Sequence, residues 1–302
     1  MRATGAPFLV LGIGVLAASA SSVLVRYAQD AGIASIAIAA WRMVIASLLL
    51  LPFALGLRLA ELRAVGGRSA RIAMLAGVFL ALHFAAWITS LEYTSVASSA
   101  ALVTTNPVWV GLATVFVFRE RLARLSVLGI VISLAGCLLI LWADLQAGEG
   151  AAGPTRQPLL GNGLALLGAV CISAYLLTGR QLAARLSLLG YVTLVYGVSA
   201  VVLVAMAVAS GAALWGFPAA GWLAVAGLAI GPQLVGHSAF NWALRRLSPT
   251  FVALSILGEP VGSALLAGLL FGEIPGAMQW VAFGVLLAGI VVASLGEQSR
   301  AG

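Results

Sequence analysis

The chain has 302 residues, of which 62% are hydrophobic and only 8% charged, and its net charge is +7. A water-soluble globule of this size needs a charged coat that this composition does not supply, so the surface must face lipid. The positive balance does not point to nucleic acid, because the 16 basic residues, all arginine, are scattered through short loops rather than gathered on one face.

Ten apolar runs lie at roughly 8–25, 33–57, 72–91, 94–118, 125–143, 159–179, 187–211, 217–243, 249–272 and 276–296. Each is close to the ~20 residues that a helix needs to cross a bilayer. They are too long and too continuously apolar for barrel strands. The predicted class is an all-α, polytopic membrane protein of ten transmembrane helices with little mass outside the membrane. Placing the N-terminus in the cytoplasm puts Arg2, Arg58, Arg63, Arg68, Arg71, Arg119, Arg121, Arg124, Arg180, Arg185, Arg245, Arg246 and Arg300 on the cytoplasmic side. Only Arg26 and Arg156 then face outward, with Arg42 inside a span, and this bias supports both the span count and cytoplasmic termini. Cys137 and Cys171 fall inside spans, offer no disulfide or zinc spacing, and read as small core residues.

In chain order, the first span carries Ser19, Ser21 and Ser22 with Gly12 and Gly14, small residues that let helices approach closely. The second contains Arg42 near the bilayer middle, where an arginine costs about 2.5–3.5 kcal/mol on insertion scales. It must clamp neighbouring helices or attract an anionic group. The third span holds His83, with Trp87 four residues later on the same face. Glu92 ends it. In the fourth, Thr104, Thr105, Asn106 and Pro107 place polar and helix-breaking groups at membrane depth, which only protein or a wet cavity can satisfy. Trp109 follows as a flat apolar surface. Span five, with Gly129 and Gly136, reads as packing alone.

The segment 144–158, rich in glycine and proline, is the one stretch of linker composition, separating a first unit (1–143) from a second (159–302). Beyond it, Tyr175 is a cavity-wall candidate, whereas Tyr191 reads as an interfacial anchor. Span eight contains Pro232 and then Gln233, His237 and Asn241 at helical spacing, a polar stripe that needs partners or water. In span nine, Glu259-Pro260 lies about ten residues in. Its carboxylate must pair with a cation such as Arg42, sit in water, or carry a proton.

The chain also repeats itself. NPVWVGLATVFVFRE, from Asn106 to Glu120, is echoed by EPVGSALLAGLLFGE, from Glu259 to Glu273. Pro107 maps to Pro260, Phe118 to Phe271, Glu120 to Glu273 and, with one residue of slack, His83 to His237. Glu120 and Glu273 read as helix-end stop signals at the lipid boundary. Units of five spans, an odd number, must lie in opposite orientations, giving an inverted repeat with a site in the seam.

The run EYTSVASSAALVTTNPVWVGLATVFVFRERL and its partner LSPTFVALSILGEPVGSALLAGLLFGE resemble the two EamA-type modules of the drug/metabolite transporter superfamily. The resemblance covers nearly the whole chain. It implies a ten-helix, inverted-repeat secondary carrier of the inner membrane, with the cavity between spans one to four and six to nine and with the fifth and tenth spans peripheral. An aromatic residue that related amino acid exporters often carry in span one is replaced here by Ala18, Ser19 and Ala20.

The expected function is secondary transport, in the export direction, of a small polar or amphipathic metabolite such as an amino acid. The expected substrate-binding set is Arg42, His83, Trp87, Asn106, Trp109, Tyr175, His237, Asn241 and Glu259, with kinks at Pro107, Pro232 and Pro260. Proton coupling through Glu259 or a histidine is a further expectation. No nucleotide, Walker or metal-ligand spacing is present, so neither cofactor nor metal is expected, and the chain is expected to act as a monomer in lipid without nucleic acid. Two other readings stay open: an intramembrane hydrolase or lipid-modifying enzyme using His83, His237 and Glu259, and a non-transporting membrane subunit.

Overall fold

The predicted runs fold as helices. The structure, a computed structural model, describes residues 6–117, 119, 121–147, 157–183, 185–243, 252 and 255–301. The first half contains α1 (Ala6–Asp30), α2 (Ser35–Arg63), α3 (Gly67–Ser90), α4 (Val96–Val103), α5 (Asn106–Phe116) and α6 (Arg124–Ala147). The second contains α7 (Pro158–Ala183), α8 (Leu188–Ala209), α9 (Ala219–Leu228), a π segment (Ala229–His237), α10 (Ser238–Ala243), α11 (Gly258–Phe271) and α12 (Ala277–Ala301). Among the described residues nine helical stretches are long and apolar enough to cross a membrane, α4 with α5 and α9 with the π segment each counting as one. The tenth run appears as α11, only 14 residues long.

The outer surface is the reverse of a soluble protein's, with Leu9, Leu16, Phe53, Leu57, Phe116, Val201 and Leu269 all exposed. Such a surface is stable only against hydrocarbon. Inside, the largest apolar core joins α2, α3 and α8, with Phe84, Ile88, Val195 and Leu203 buried.

α6 and α12 pack along each other. A Cβ at Gly136 would stand 2.6 Å from the backbone of Leu286, so these helices meet backbone to backbone. The packing role expected of Gly129 and Gly136 holds, and Cys137 and Cys171 are buried and free.

The three prolines act differently from simple kinks. α4 ends at Val103 and α5 begins at Asn106, so Pro107 sits in the first turn of a new helix, where its missing N–H is harmless. Thr104 Oγ1 donates to Ala101 O at 2.9 Å and Thr105 Oγ1 to Leu102 O at 2.7 Å, satisfying carbonyls at the break. Pro260 likewise lies in the first turn of α11. Pro232 lies within the π segment, whose wider turn accommodates the ring.

Two charged residues at span ends are buried. Arg26, placed by sequence on the outer side of the membrane, and Glu273, expected to stop a helix at the lipid boundary, form an ion pair at 3.6 Å. Lipid solvates neither group, so each takes its partners inside the bundle. They belong to a polar layer at the end of the bundle where α6 ends at Ala147 and α7 begins at Pro158, the linker end. Arg26 donates to Thr94 O at 3.3 Å, Thr94 Oγ1 to Asn162 Oδ1 at 2.7 Å, and Asn162 Nδ2 to Asp144 Oδ2 at 2.6 Å. Asp144 Oδ1 also accepts from Ser98 Oγ at 3.0 Å and Gln279 Nε2 at 2.7 Å. Glu92, beside them, accepts from Ser35 Oγ. Tyr191 is no interfacial anchor: it is buried and stacks on Tyr175 with ring centroids 6.4 Å apart. Phe118, Glu120 and the linker residues 148–156 lie outside the described residues.

Candidate functional site: a polar cavity shared by both halves

One cavity of about 270 Å³ lies between the two halves of the chain. From the first half it is lined by Ala18 and Ser21 of α1, Arg42 of α2, His83, Phe84 and Trp87 of α3, and Val103, Thr104 and Asn106 around the α4–α5 break. From the second come Ile172, Tyr175 and Leu176 of α7, Pro232, His237 and Phe240 of the π segment and α10, and Ile256 and Glu259 at the start of α11. Seven of the residues singled out by sequence, Arg42, His83, Trp87, Asn106, Tyr175, His237 and Glu259, therefore meet around one space, though they span more than two hundred positions of chain.

Arg42 is its centre. The guanidinium is almost wholly buried, at 1% exposure. Nε donates to Gln233 Oε1 at 2.9 Å and Nη1 to Ser21 Oγ at 3.0 Å. Its carbon lies 4.2 Å from the centroid of Phe84 and 5.8 Å from that of Trp87, so two aromatic faces partly replace the lost hydration. The charge is thus fixed in place by neutral partners. Glu259 lines the same cavity, yet no ion pair joins it to Arg42 among the described residues. Of the settings foreseen for Glu259, direct pairing with Arg42 is not the one adopted.

His83 Nδ1 lies 2.9 Å from Gly168 O, and since a carbonyl only accepts, Nδ1 carries the proton in this contact. The missing side chain of Gly168 allows that approach, because a Cβ there would already touch Trp87 at 3.2 Å. The His83 and Trp87 rings are parallel within 7°, with centroids 6.1 Å apart. His237 meets Phe84 and Phe240 edge to face, at 6.3 and 6.2 Å. Trp87 Nε1 is buried without a hydrogen-bond partner, a donor that a ligand could satisfy.

Trp109 is placed elsewhere. Its Nε1 donates to Thr105 Oγ1 at 3.0 Å, and the ring does not line the cavity. The side chain of Asn241 lies outside the described residues. Pro232 lines the cavity, whereas Pro107 and Pro260 flank it at helix starts. Sequence reasoning gave no place to Phe84 and assigned Ser21 to helix packing. The seat of Phe84 next to His83, and the hydroxyl of Ser21 on an otherwise apolar helix, were the available signals. Gln233 was read as one of a stripe that needs partners or water; its partner is Arg42, which it holds from behind the cavity wall.

Comparisons with known proteins agree with this architecture. The sequence profile of the EamA-like transporter family matches the chain twice, over residues 6–142 and 159–295. Over 261 residues the chain is 27% identical to the uncharacterized inner membrane transporter YedA of Escherichia coli (strain K12), covering 85% of this chain and 80% of that one. The YedA proteins of Escherichia coli O6:H1 and O157:H7 match to the same extent. A crystal structure described only as that of a protein shares the fold, with a TM-score of 0.66 and 21% identity over 99% of this chain and 100% of that one. Because one profile accounts for both halves and leaves only the termini and the linker unmatched, the chain belongs to the EamA-like transporter family.

Proposed function

We propose that this membrane transporter is a secondary carrier that exports a small polar or amphipathic organic metabolite, such as an amino acid, across the cytoplasmic membrane. The observation that carries the proposal is the unpaired arrangement of Arg42 and Glu259 around one cavity. A fixed cation and a carboxyl group that do not neutralise each other suit a ligand with an acidic and a basic end. The cavity volume of about 270 Å³ fits a small metabolite rather than a larger amphiphile. In this reading Arg42 receives the carboxylate, Trp87 Nε1 and Asn106 add hydrogen bonds, and His83, Phe84 and Tyr175 form the apolar walls. Glu259 receives the cationic end, and its exchange of a proton couples export to the proton gradient.

The two profile-matched units are proposed to lie in opposite orientations, with both termini cytoplasmic and the linker end outside, and the protein to work as a monomer. Support comes from the odd number of predicted spans per unit and from the distribution of arginines. A hydrolase is disfavoured because the hydroxyls at the cavity are committed: Thr104 donates to Ala101 O and Ser21 accepts from Arg42. Ser98 and Ser99 are engaged near the linker end with Asp144 and Ser90.

The test is a thermal-shift screen of purified protein against a metabolite library, followed by counterflow in proteoliposomes with each stabilising compound. Counterflow of an amphoteric metabolite, abolished by Arg42→Met, is the expected result. Stabilisation only by uncharged or lipid-like compounds, with no counterflow, would refute it.

A further inference from the structure

The polar layer at the linker end shares no residue with the cavity lining. Its ion pair joins the two halves: Arg26 belongs to α1, and Glu273 follows α11. Both are buried, at 5% and 6% exposure. A purely static tie in so dry a place would be expected to be fully hydrogen-bonded, since each missing bond to a buried charge is costly. This one is not. The charged atoms stand 3.6 Å apart, beyond the ~2.7–2.9 Å of a charge-assisted hydrogen bond, and Arg26 Nε has no partner.

Glu273 is also placed to act on another element. Gly272, at φ 70°, terminates α11 in the left-handed conformation, and Glu273 N bonds back to Ala267 O at 3.3 Å, so the backbone at this residue is fixed. Its Oε2 then accepts from Val96 N at 3.1 Å, satisfying one of the free amides at the start of α4. α4 is eight residues long, or about 12 Å. Its other end is the break at Thr104–Thr105, where Val103 and Thr104 line the cavity. One short rigid helix therefore runs from the ion pair to the cavity wall, and its far end is already detached from α5. Ser21, on the cavity, and Arg26, in the pair, are five residues apart on α1, about 7.5 Å of helix.

We infer that Arg26, Glu273 and the Val96 amide form a breakable latch that closes the linker end of the cavity, with α4 as the element that swings when it opens. The under-satisfied pair makes the closed state easy to leave, and loss of the Glu273 cap frees the end of α4 nearest the linker. The internal repeat places Glu120 at the sequence position that matches Glu273 and, with one residue of slack, Arg180 at the one that matches Arg26.

The inference rests on the carrier reading, but its test does not use transport. Full-length protein carrying Cys137→Ala, Cys171→Ala and Ala18→Cys, in proteoliposomes of established sidedness, is exposed to a membrane-impermeant maleimide from the linker side. Ala18 lines the cavity, so the labelling rate reports access. Glu273→Gln should raise the rate about tenfold, the change expected when a population shifts by one decade. Arg26→Lys, which keeps the opposite charge and leaves the Glu273 carboxylate on the Val96 amide, should keep the slow value. An unchanged rate in Glu273→Gln, an Arg26→Lys protein that labels as fast as Glu273→Gln, or a Glu273→Gln protein that is no longer monodisperse would each overturn the latch. Failure of every metabolite in counterflow would leave this readout intact, so the two readings fail separately.

Discussion

The clamp on Arg42 yields a prediction that separates holding the arginine from using it. Gln233→Leu removes the acceptor of the 2.9 Å bond from Nε while keeping similar bulk. Both partners are 1% exposed, so no water replaces the lost oxygen. A hydrogen bond to a charged group contributes about 1.5–3 kcal/mol, and a stranded buried donor costs at least that much. With about 2–4 °C in Tm per kcal/mol for chains of roughly this size, a loss of about 2 kcal/mol lowers Tm by about 4–8 °C. Adding Arg42→Met removes the stranded charge. The double variant should regain most of the stability, short of the roughly 0.5–2 kcal/mol from the faces of Phe84 and Trp87. It should nonetheless bind no acidic metabolite. The assay is thermal unfolding of detergent-purified protein, run as a double-mutant cycle beside ligand-induced shifts. A Gln233→Leu protein as stable as the parent, or a double variant weaker than either single one, would show that Gln233 does not hold the guanidinium.

Gly136→Val places a side chain 2.6 Å from the Leu286 backbone and should force α6 from α12 at a cost of about 1–3 kcal/mol or more, read as a fall in Tm with no change in ligand affinity in the protein that remains folded. Asp144→Asn leaves three donors, Ser98 Oγ, Asn162 Nδ2 and Gln279 Nε2, facing an amide that can accept with only one atom, so thermal stability should fall by about 1–3 kcal/mol. Thr105→Val removes the acceptor of Trp109 Nε1 and the donor to Leu102 O together, and should cost about 1–2 kcal/mol without altering the cavity lining. Glu259→Gln should abolish gradient-driven transport and weaken counterflow as well, since it removes the group that receives the cationic end; unchanged gradient-driven transport would remove this residue from proton coupling.

Sequence alone determined that this protein lives in a membrane, that it is helical, that it is built twice over, and which ionisable residues lie at membrane depth. These follow from local composition and spacing, because hydrocarbon admits only helices or closed barrels and penalises each buried charge where it stands. Partnership was not local. Arg42 and Glu259 looked like natural counter-ions, yet the guanidinium is held by Gln233, nearly two hundred residues away, and the carboxyl group is left facing the cavity. Arg26 and Glu273 looked like separate boundary residues, yet they meet across the two halves. Trp109 read as a flat surface for ligand, but the break at Thr104–Thr105 gives its indole N–H the hydroxyl of Thr105, just before its own helix, instead. Packing decided each case, because inside an apolar bundle a polar group takes whichever partner the crossing helices bring within reach.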